Sequence, residues 1–166
     1  MKLKRNAKGF SLIELLIVVA IILIIAAIAI PNLLRSKMAA NQASAVGSLR
    51  TINTAEVTYE STYNTGYSSL LADLGPGSPA TATSADLIDE VLAGTVPASA
   101  TPTKSGYTFA YTAGAAVGTI IPTYTITAVP AAVGSTGQNG YFTDQSNVIR
   151  FDTTGALPTV TDKPIG

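Results

Sequence analysis

Glu14 is the side chain whose position most needs a chemical explanation. It lies near the start of a segment that is otherwise almost wholly Leu, Ile, Val and Ala. A carboxylate inside an apolar membrane helix costs about 2.5–3.5 kcal/mol on insertion scales, so its presence there is a functional signal by default. One reading places it close enough to the helix end to reach lipid head groups. Another depends on the bond between Gly9 and Phe10. Cutting that bond would release a new α-amino group one helical turn from Glu14, and such an amine is largely cationic at neutral pH. Within one chain the two groups could pair. Between chains, Glu14 could meet the amine of an incoming neighbour, and this intermolecular role is the favoured expectation. An unpaired charge in hydrocarbon is costly and a paired one less so, which rewards docking and fixes its register.

Other chemistry is thinly represented. The chain has no His, Cys or Trp, so it lacks the usual general base, the commonest transition-metal ligand, disulfides and thiolates. Asp144, Asn147 and Asp152 could offer oxygens to Ca²⁺, although turn and strand-end roles fit them better. Tyr107, Tyr111, Tyr124 and Tyr141 fit sheet positions rather than a stacking platform. No phosphate-binding glycine loop, metal-ligand cluster or nucleophile–base pair is present. The expectation is therefore assembly rather than catalysis, with no cofactor. The Ser/Thr-rich tracts around Ser78 to Ser84 and Ala98 to Ser105 offer hydroxyls that could be glycosylated, which composition alone does not show.

The elements that must position Glu14 begin with charge. Lys+Arg and Asp+Glu both count 10, a balance that points to no specific nucleic acid. Lys2, Lys4, Arg5 and Lys8 all precede the apolar run, and a basic patch before an apolar stretch reads as membrane targeting with the basic end cytoplasmic. From Leu15 to Ile30 every residue is Leu, Ile, Val or Ala. With its flanks the segment reaches roughly 35 Å as a helix, enough for a bilayer core of about 30 Å. It exceeds an ordinary signal-peptide core, carries Ser11 and Glu14 at its start, and runs on as a helix, so a cleaved secretory signal is disfavoured. Beyond Pro31, which predicts a bend, Leu34, Met38, Ala45, Leu49, Ile52, Tyr59 and Tyr63 recur on one face. Arg50, Glu56 and Glu60 fall among the intervening polar residues. A helix from Phe10 to about Tyr63 would be roughly 80 Å long, and half of it would project from its own domain.

After residue 65 the composition turns to Gly, Ala, Ser, Thr and Pro. Gly75 to Pro79 is a loop signal. Residues 84–93 read as a short helix capped by Ser84 and stopped by Gly94. Tyr107 to Thr112, Thr123 to Val129, Tyr141 to Thr143 and Val148 to Asp152 read as strands, the last two joined by a turn at Asp144 to Asn147. Short connections make the sheet antiparallel. The predicted class is α+β: a long N-terminal helix, kinked near Pro31, with a small antiparallel sheet packed on its C-terminal half. Four segments follow: a basic leader at 1–9, an apolar anchor at 10–34, the amphipathic continuation at 35–65, and a head at 66–166.

The run Lys8-Gly9-Phe10-Ser11-Leu12-Ile13-Glu14-Leu15-Leu16-Ile17, continuing to Ala29-Ile30-Pro31-Asn32, resembles the N-terminus of type IV prepilins and the related pseudopilins. The helix-then-sheet order is similar to that family's architecture. The resemblance implies cleavage after Gly9 by a membrane prepilin peptidase, N-methylation of Phe10, and a single-pass precursor in the bacterial inner membrane. It further implies delivery through an inner-membrane assembly platform into a helical homopolymer, where Glu14 neutralises the neighbour's N-terminus at Phe10 and Pro31 marks a bend. Two departures stand out. Leu23 replaces a glycine found in many members, which favours helix there. The absence of cysteine leaves the C-terminal region without the disulfide many pilins use. Three readings remain: a surface pilus subunit for adhesion, motility or DNA uptake; a pseudopilin of a type II secretion piston in the periplasm; and a membrane-tethered domain that never polymerises. The Thr-rich head, without the dense acidic loop expected of the calcium-binding major secretion pseudopilin, favours the first.

Overall fold

The computed structural model describes residues 10–96 and 98–165. The predicted α+β class is what it shows. One helix, α1, runs from Leu12–Tyr63, and six strands follow it in a single antiparallel sheet. The chain divides into two compact units between Ser36 and Lys37.

Within the second unit the sheet is a meander in chain order: β1 (Thr103–Lys104), β2 (Tyr107–Ala113), β3 (Tyr124–Pro130), β4 (Gly140–Asp144), β5 (Arg150–Asp152) and β6 (Lys163–Pro164). Every neighbouring pair is antiparallel. Alternation decides which side chains meet α1. Phe109 pairs with Ala128, and Ile126 with both Tyr111 and Thr143. This puts Tyr107, Phe109, Tyr111, Tyr124, Ile126, Tyr141 and Thr143 on the helix-facing side. Thr108, Ala110, Thr112, Thr125 and Thr127 take the other face. Ala45, Leu49, Ile52, Ala55 and Tyr59 answer from α1, all 5 % exposed or less. Burying each large member of this set contributes about 1.5–3 kcal/mol. β4 is buried on both faces, and Ala156 and Pro158 cross its outer side at Gly140. A Cβ on Gly140 would meet the Ala156 carbonyl at 2.5 Å, so only glycine fits beneath that crossing.

Polar contacts also tie the helix to the sheet. Asn53 is 6 % exposed. Its amide nitrogen donates to Thr143 Oγ1 at 2.9 Å, and its amide oxygen accepts from the Tyr124 hydroxyl at 3.2 Å. Asn53→Ala takes the amide partner from Thr143 and leaves Tyr124 only Asn147 Oδ1 at 3.3 Å, and the expected loss is about 1–3 kcal/mol. Denaturant unfolding that shifted by less than a few tenths of that would show the contact to be dispensable.

The expected helix over residues 84–93 is corrected. Only Glu90–Ala93 is helical (α2), and its N-cap is Asp89, whose Oδ1 accepts from the Leu92 amide at 3.0 Å, not Ser84. The amides of Ala85, Asp86, Leu87 and Ile88 donate instead to the carbonyls of Asp73, Gly75 and Leu74. Asp86 has a left-handed backbone (φ 55°) that no α-helix accommodates. Ser84 closes a tight turn with Thr81. Along this stretch Ile88 and Leu92 are buried, Leu87 is half-buried, and Val91 is exposed. Gly94 stops the helix as expected, in left-handed conformation (φ 72°) with its amide on the Glu90 and Val91 carbonyls.

Candidate functional site

The N-terminal unit consists, over its described residues, of the first part of α1. Leu12, Ile13, Leu15, Leu16, Ile17, Ile21, Ile22, Leu23, Ile24, Ile25, Ile28, Ile30 and Leu33 are each more than half exposed. The most apolar window of α1 is long enough to cross a membrane, and none of it is buried within the chain. Water does not tolerate an apolar surface of that size on an isolated helix. The segment therefore calls for lipid or protein around it.

Phe10, the first described residue, is 82 % exposed. Gly9, the other half of the expected cleavage site, lies outside the described residues. Ser11 and Glu14 are joined. The Ser11 amide donates to Glu14 Oε2 at 2.9 Å, and the Ile13 amide donates to Ser11 Oγ at 3.3 Å. Ser11 is thus the N-cap of α1, its hydroxyl taking the amide of the second helical residue, and Glu14 reaches back from the third helical position to the Ser11 amide, the carboxylate half of a capping box. The carboxylate also complements the positive end of the helix dipole. The sequence carried this signal as Ser-x-x-Glu ahead of an apolar run, although the expectation for Glu14 concerned only its charge. In the lone chain one carboxylate oxygen already has a local donor, and both side chains remain exposed.

Pro31 sits inside α1 without interrupting it. Having no amide hydrogen, it leaves the Ala27 carbonyl without its helical donor. One residue on, the Asn32 side chain donates to the Ile28 carbonyl at 3.1 Å, which adds a bond beside the proline. Leu23 is an ordinary exposed helical residue.

The other candidates separate. Asp144 accepts from the Ser146 amide at 2.9 Å, Asn147 takes a left-handed turn conformation (φ 60°), and Asp152 accepts from the Thr154 amide at 2.7 Å. Each carboxylate caps its own local turn, and no group of three or more acidic residues is placed to hold a metal among the described residues. Tyr107, Tyr111, Tyr124 and Tyr141 are helix-facing sheet residues, as expected. Burial and the neighbouring Tyr141 push the Tyr107 hydroxyl above its ordinary pKa. Burial and the nearby Glu56 do the same to Tyr124.

Sequence reasoning missed Glu56. It was placed among the polar residues of α1 yet is 0 % exposed. A signal was present: the apolar positions 45, 49, 52, 59 and 63 follow a four-three rhythm that skips 56, so Glu56 occupies the vacant step on the buried face.

Comparison with known proteins matches part of the chain. Residues 4–30 match the model of the prokaryotic N-terminal methylation motif. The chain is 70 % identical over 37 residues to the type IV wide pilus major component PilA4 of Thermus thermophilus, covering 22 % of this chain and 28 % of that protein. It is 48 % identical over 52 residues to the type IV major pilin protein PilA of Myxococcus xanthus, covering 31 % of this chain and 24 % of that protein. The matches thus span about a quarter of each relative's length. No solved structure matches the chain significantly. The chain carries the prokaryotic N-terminal methylation motif and, in the stretch it shares with them, resembles type IV major pilins.

Proposed function

We propose that this chain is a structural subunit, not an enzyme, that polymerises through its N-terminal helix into a type IV pilus-like surface filament. The observation that carries this reading is the apolar stretch of α1, none of it buried within the chain, in a segment that carries the methylation motif. A bilayer covers that surface before assembly, and the helices of other copies cover it afterwards. On this reading a prepilin peptidase in the inner membrane removes residues 1–9 at Gly9, Phe10 is then N-methylated, and an assembly platform lifts the subunit out of the membrane. Glu14 exchanges its local bond to Ser11 for the N-terminus of a neighbouring Phe10. Pro31, with one helical hydrogen bond missing, is where α1 bends to fit its neighbours.

Mass spectrometry of the chain recovered from membranes and from sheared surface material tests the proposal. The expected N-terminus is methylated Phe10. An intact Met1 would sink the filament reading in favour of a tethered domain. Electron microscopy of the sheared material separates the remaining two: long fibres containing this chain select the pilus, and their absence selects a secretion pseudopilus.

A further inference from the structure

Glu56 is a carboxylate that the proposed assembly does not use. It lies on the sheet-facing side of α1 with no exposed surface. Its Oε2 accepts from the Ser68 amide at 3.0 Å, and its Oε1 stands 2.6 Å from the Ser68 hydroxyl. The Ser68 hydroxyl is in turn 3.0 Å from the Tyr111 hydroxyl, and the Tyr111 hydroxyl is 2.8 Å from the Ser68 carbonyl. Ser68 is itself 0 % exposed. The other ionisable groups coupled to Glu56 are Asp73 from the 3₁₀ turn at Leu71–Leu74, Tyr111 from β2, Tyr59 on α1, Tyr67 just after it, and Tyr124 on β3. None of them is a cation.

Counting hydrogens favours a neutral acid at Glu56. The contacts Glu56–Ser68 Oγ, Ser68 Oγ–Tyr111 Oη and Tyr111 Oη–Ser68 O each need one hydrogen. With Glu56 ionised, only the Ser68 and Tyr111 hydroxyls supply any, and one contact brings two lone pairs together. A neutral acid completes the chain: Glu56 donates to Ser68 Oγ, Ser68 donates to Tyr111 Oη, and Tyr111 donates to the Ser68 carbonyl. Oε2 still accepts from the Ser68 amide, and no unpaired charge is left in a desolvated place.

We propose that Glu56 is held inside the fold as a neutral carboxylic acid and forms a pH-sensitive latch between α1 and the segment around Ser68. Burial pushes the Glu56 carboxyl up, the hydrogen bond from the Ser68 amide opposes that, and the nearby Asp73 adds to the rise. Because the folded value is raised, the latch stabilises fully below the unfolded value of about 4.3 and is lost as pH rises through the raised one. Asp89 and Asp152 work in the opposite sense. Burial would raise Asp89, but hydrogen bonds from Lys104 and the Leu92 amide outweigh it; Thr154 holds Asp152 low. Their contribution fades only below about 3.9, so the two effects occupy different pH windows.

The test uses the full chain in a carboxyl-free detergent. At about pH 5 its infrared spectrum should show the carbonyl band of a protonated, buried carboxylic acid that survives Glu14→Ala and is missing from Glu56→Gln. Between about pH 5 and pH 8 the melting temperature of the native chain should fall by roughly 5 °C. Glu56→Gln, which copies the neutral acid in shape, should not show that fall. Absence of the band from the native chain overturns the proposal whether or not the variant folds. So does a Glu56→Gln variant that keeps the same fall, because the fall would then come from another group.

Discussion

Glu14→Ala is expected to abolish filaments while the chain is still cut after Gly9 and still inserted in the membrane. On the proposed reading, each docked subunit brings a cationic N-terminus into an apolar helix bundle, and Glu14 is the group that meets it. Removing one partner of a buried ion pair costs about 3–5 kcal/mol, chiefly because the other charge is stranded. At 1.36 kcal/mol per decade that is about two to four orders of magnitude in the affinity of each subunit for the growing end. Insertion should be unharmed or improved, since alanine is less costly in hydrocarbon than a carboxylate.

The capping box found at Ser11 and Glu14 requires a second variant. Glu14→Ala removes a hydrogen-bond acceptor as well as a charge, and loss of a cap costs about 0.5–2 kcal/mol by itself. Glu14→Gln keeps an amide oxygen able to accept from the Ser11 amide but carries no charge. If pairing drives assembly, both variants fail to assemble. If the cap is what matters, Glu14→Gln assembles normally. Immunoblots of sheared surface fractions, with mass spectrometry of the membrane-bound pool to confirm the cut, give the answer. Normal filament yield from Glu14→Ala would end the account.

How much of this was legible in the sequence differs by element. The long helix and the principal strands were, because their signals are local: a three-and-four rhythm on α1, alternation of aromatic with small residues from Tyr107 to Thr112, and the Thr, Ile and Val content of 123–129. β1 and β6 were not, since two residues carry no periodicity; β6 contains Pro164 and lies at the sheet edge. Residues 84–93 misled for a different reason. Their local pattern does favour a helix, but the free carbonyls at 73–75 offered their amides a tertiary partner, and that partner prevailed. Glu56 shows the limit of polarity as a guide. A carboxylate is assigned to solvent by its type; the helical rhythm marks the step at 56 as buried, but the partners that satisfy it, Ser68 and Tyr111, lie 12 and 55 residues along the chain, beyond a local window. At the N-terminus the motif residues were legible and the capping geometry was spelled out in Ser-x-x-Glu, because both are short-range.

Phe109→Ala is the second change with a large expected effect, and its signature is the reverse of Glu14→Ala. Phe109 is 0 % exposed at the centre of β2. Its cross-strand partner is Ala128, also 0 % exposed, so the residue directly opposite is too small to fill the space left behind. Truncating a buried phenylalanine without collapse costs about 3–5 kcal/mol, a large part of the 5–15 kcal/mol that holds a typical domain together. The chain has no cysteine, so no disulfide narrows the unfolded ensemble to soften the loss. The melting temperature of the head should drop by on the order of 15 °C or more, followed by near-ultraviolet circular dichroism of the tyrosines. Phe109→Leu, which keeps most of the volume, should cost well under half as much. The N-terminal cut should persist in both variants, because the residues matching the methylation motif end at residue 30. A Phe109→Ala head that melted within a few degrees of the native one would show that the sheet is not packed on α1 through this residue. A normal melt in Glu14→Ala beside a collapsed one in Phe109→Ala would separate the helix that assembles from the core that folds.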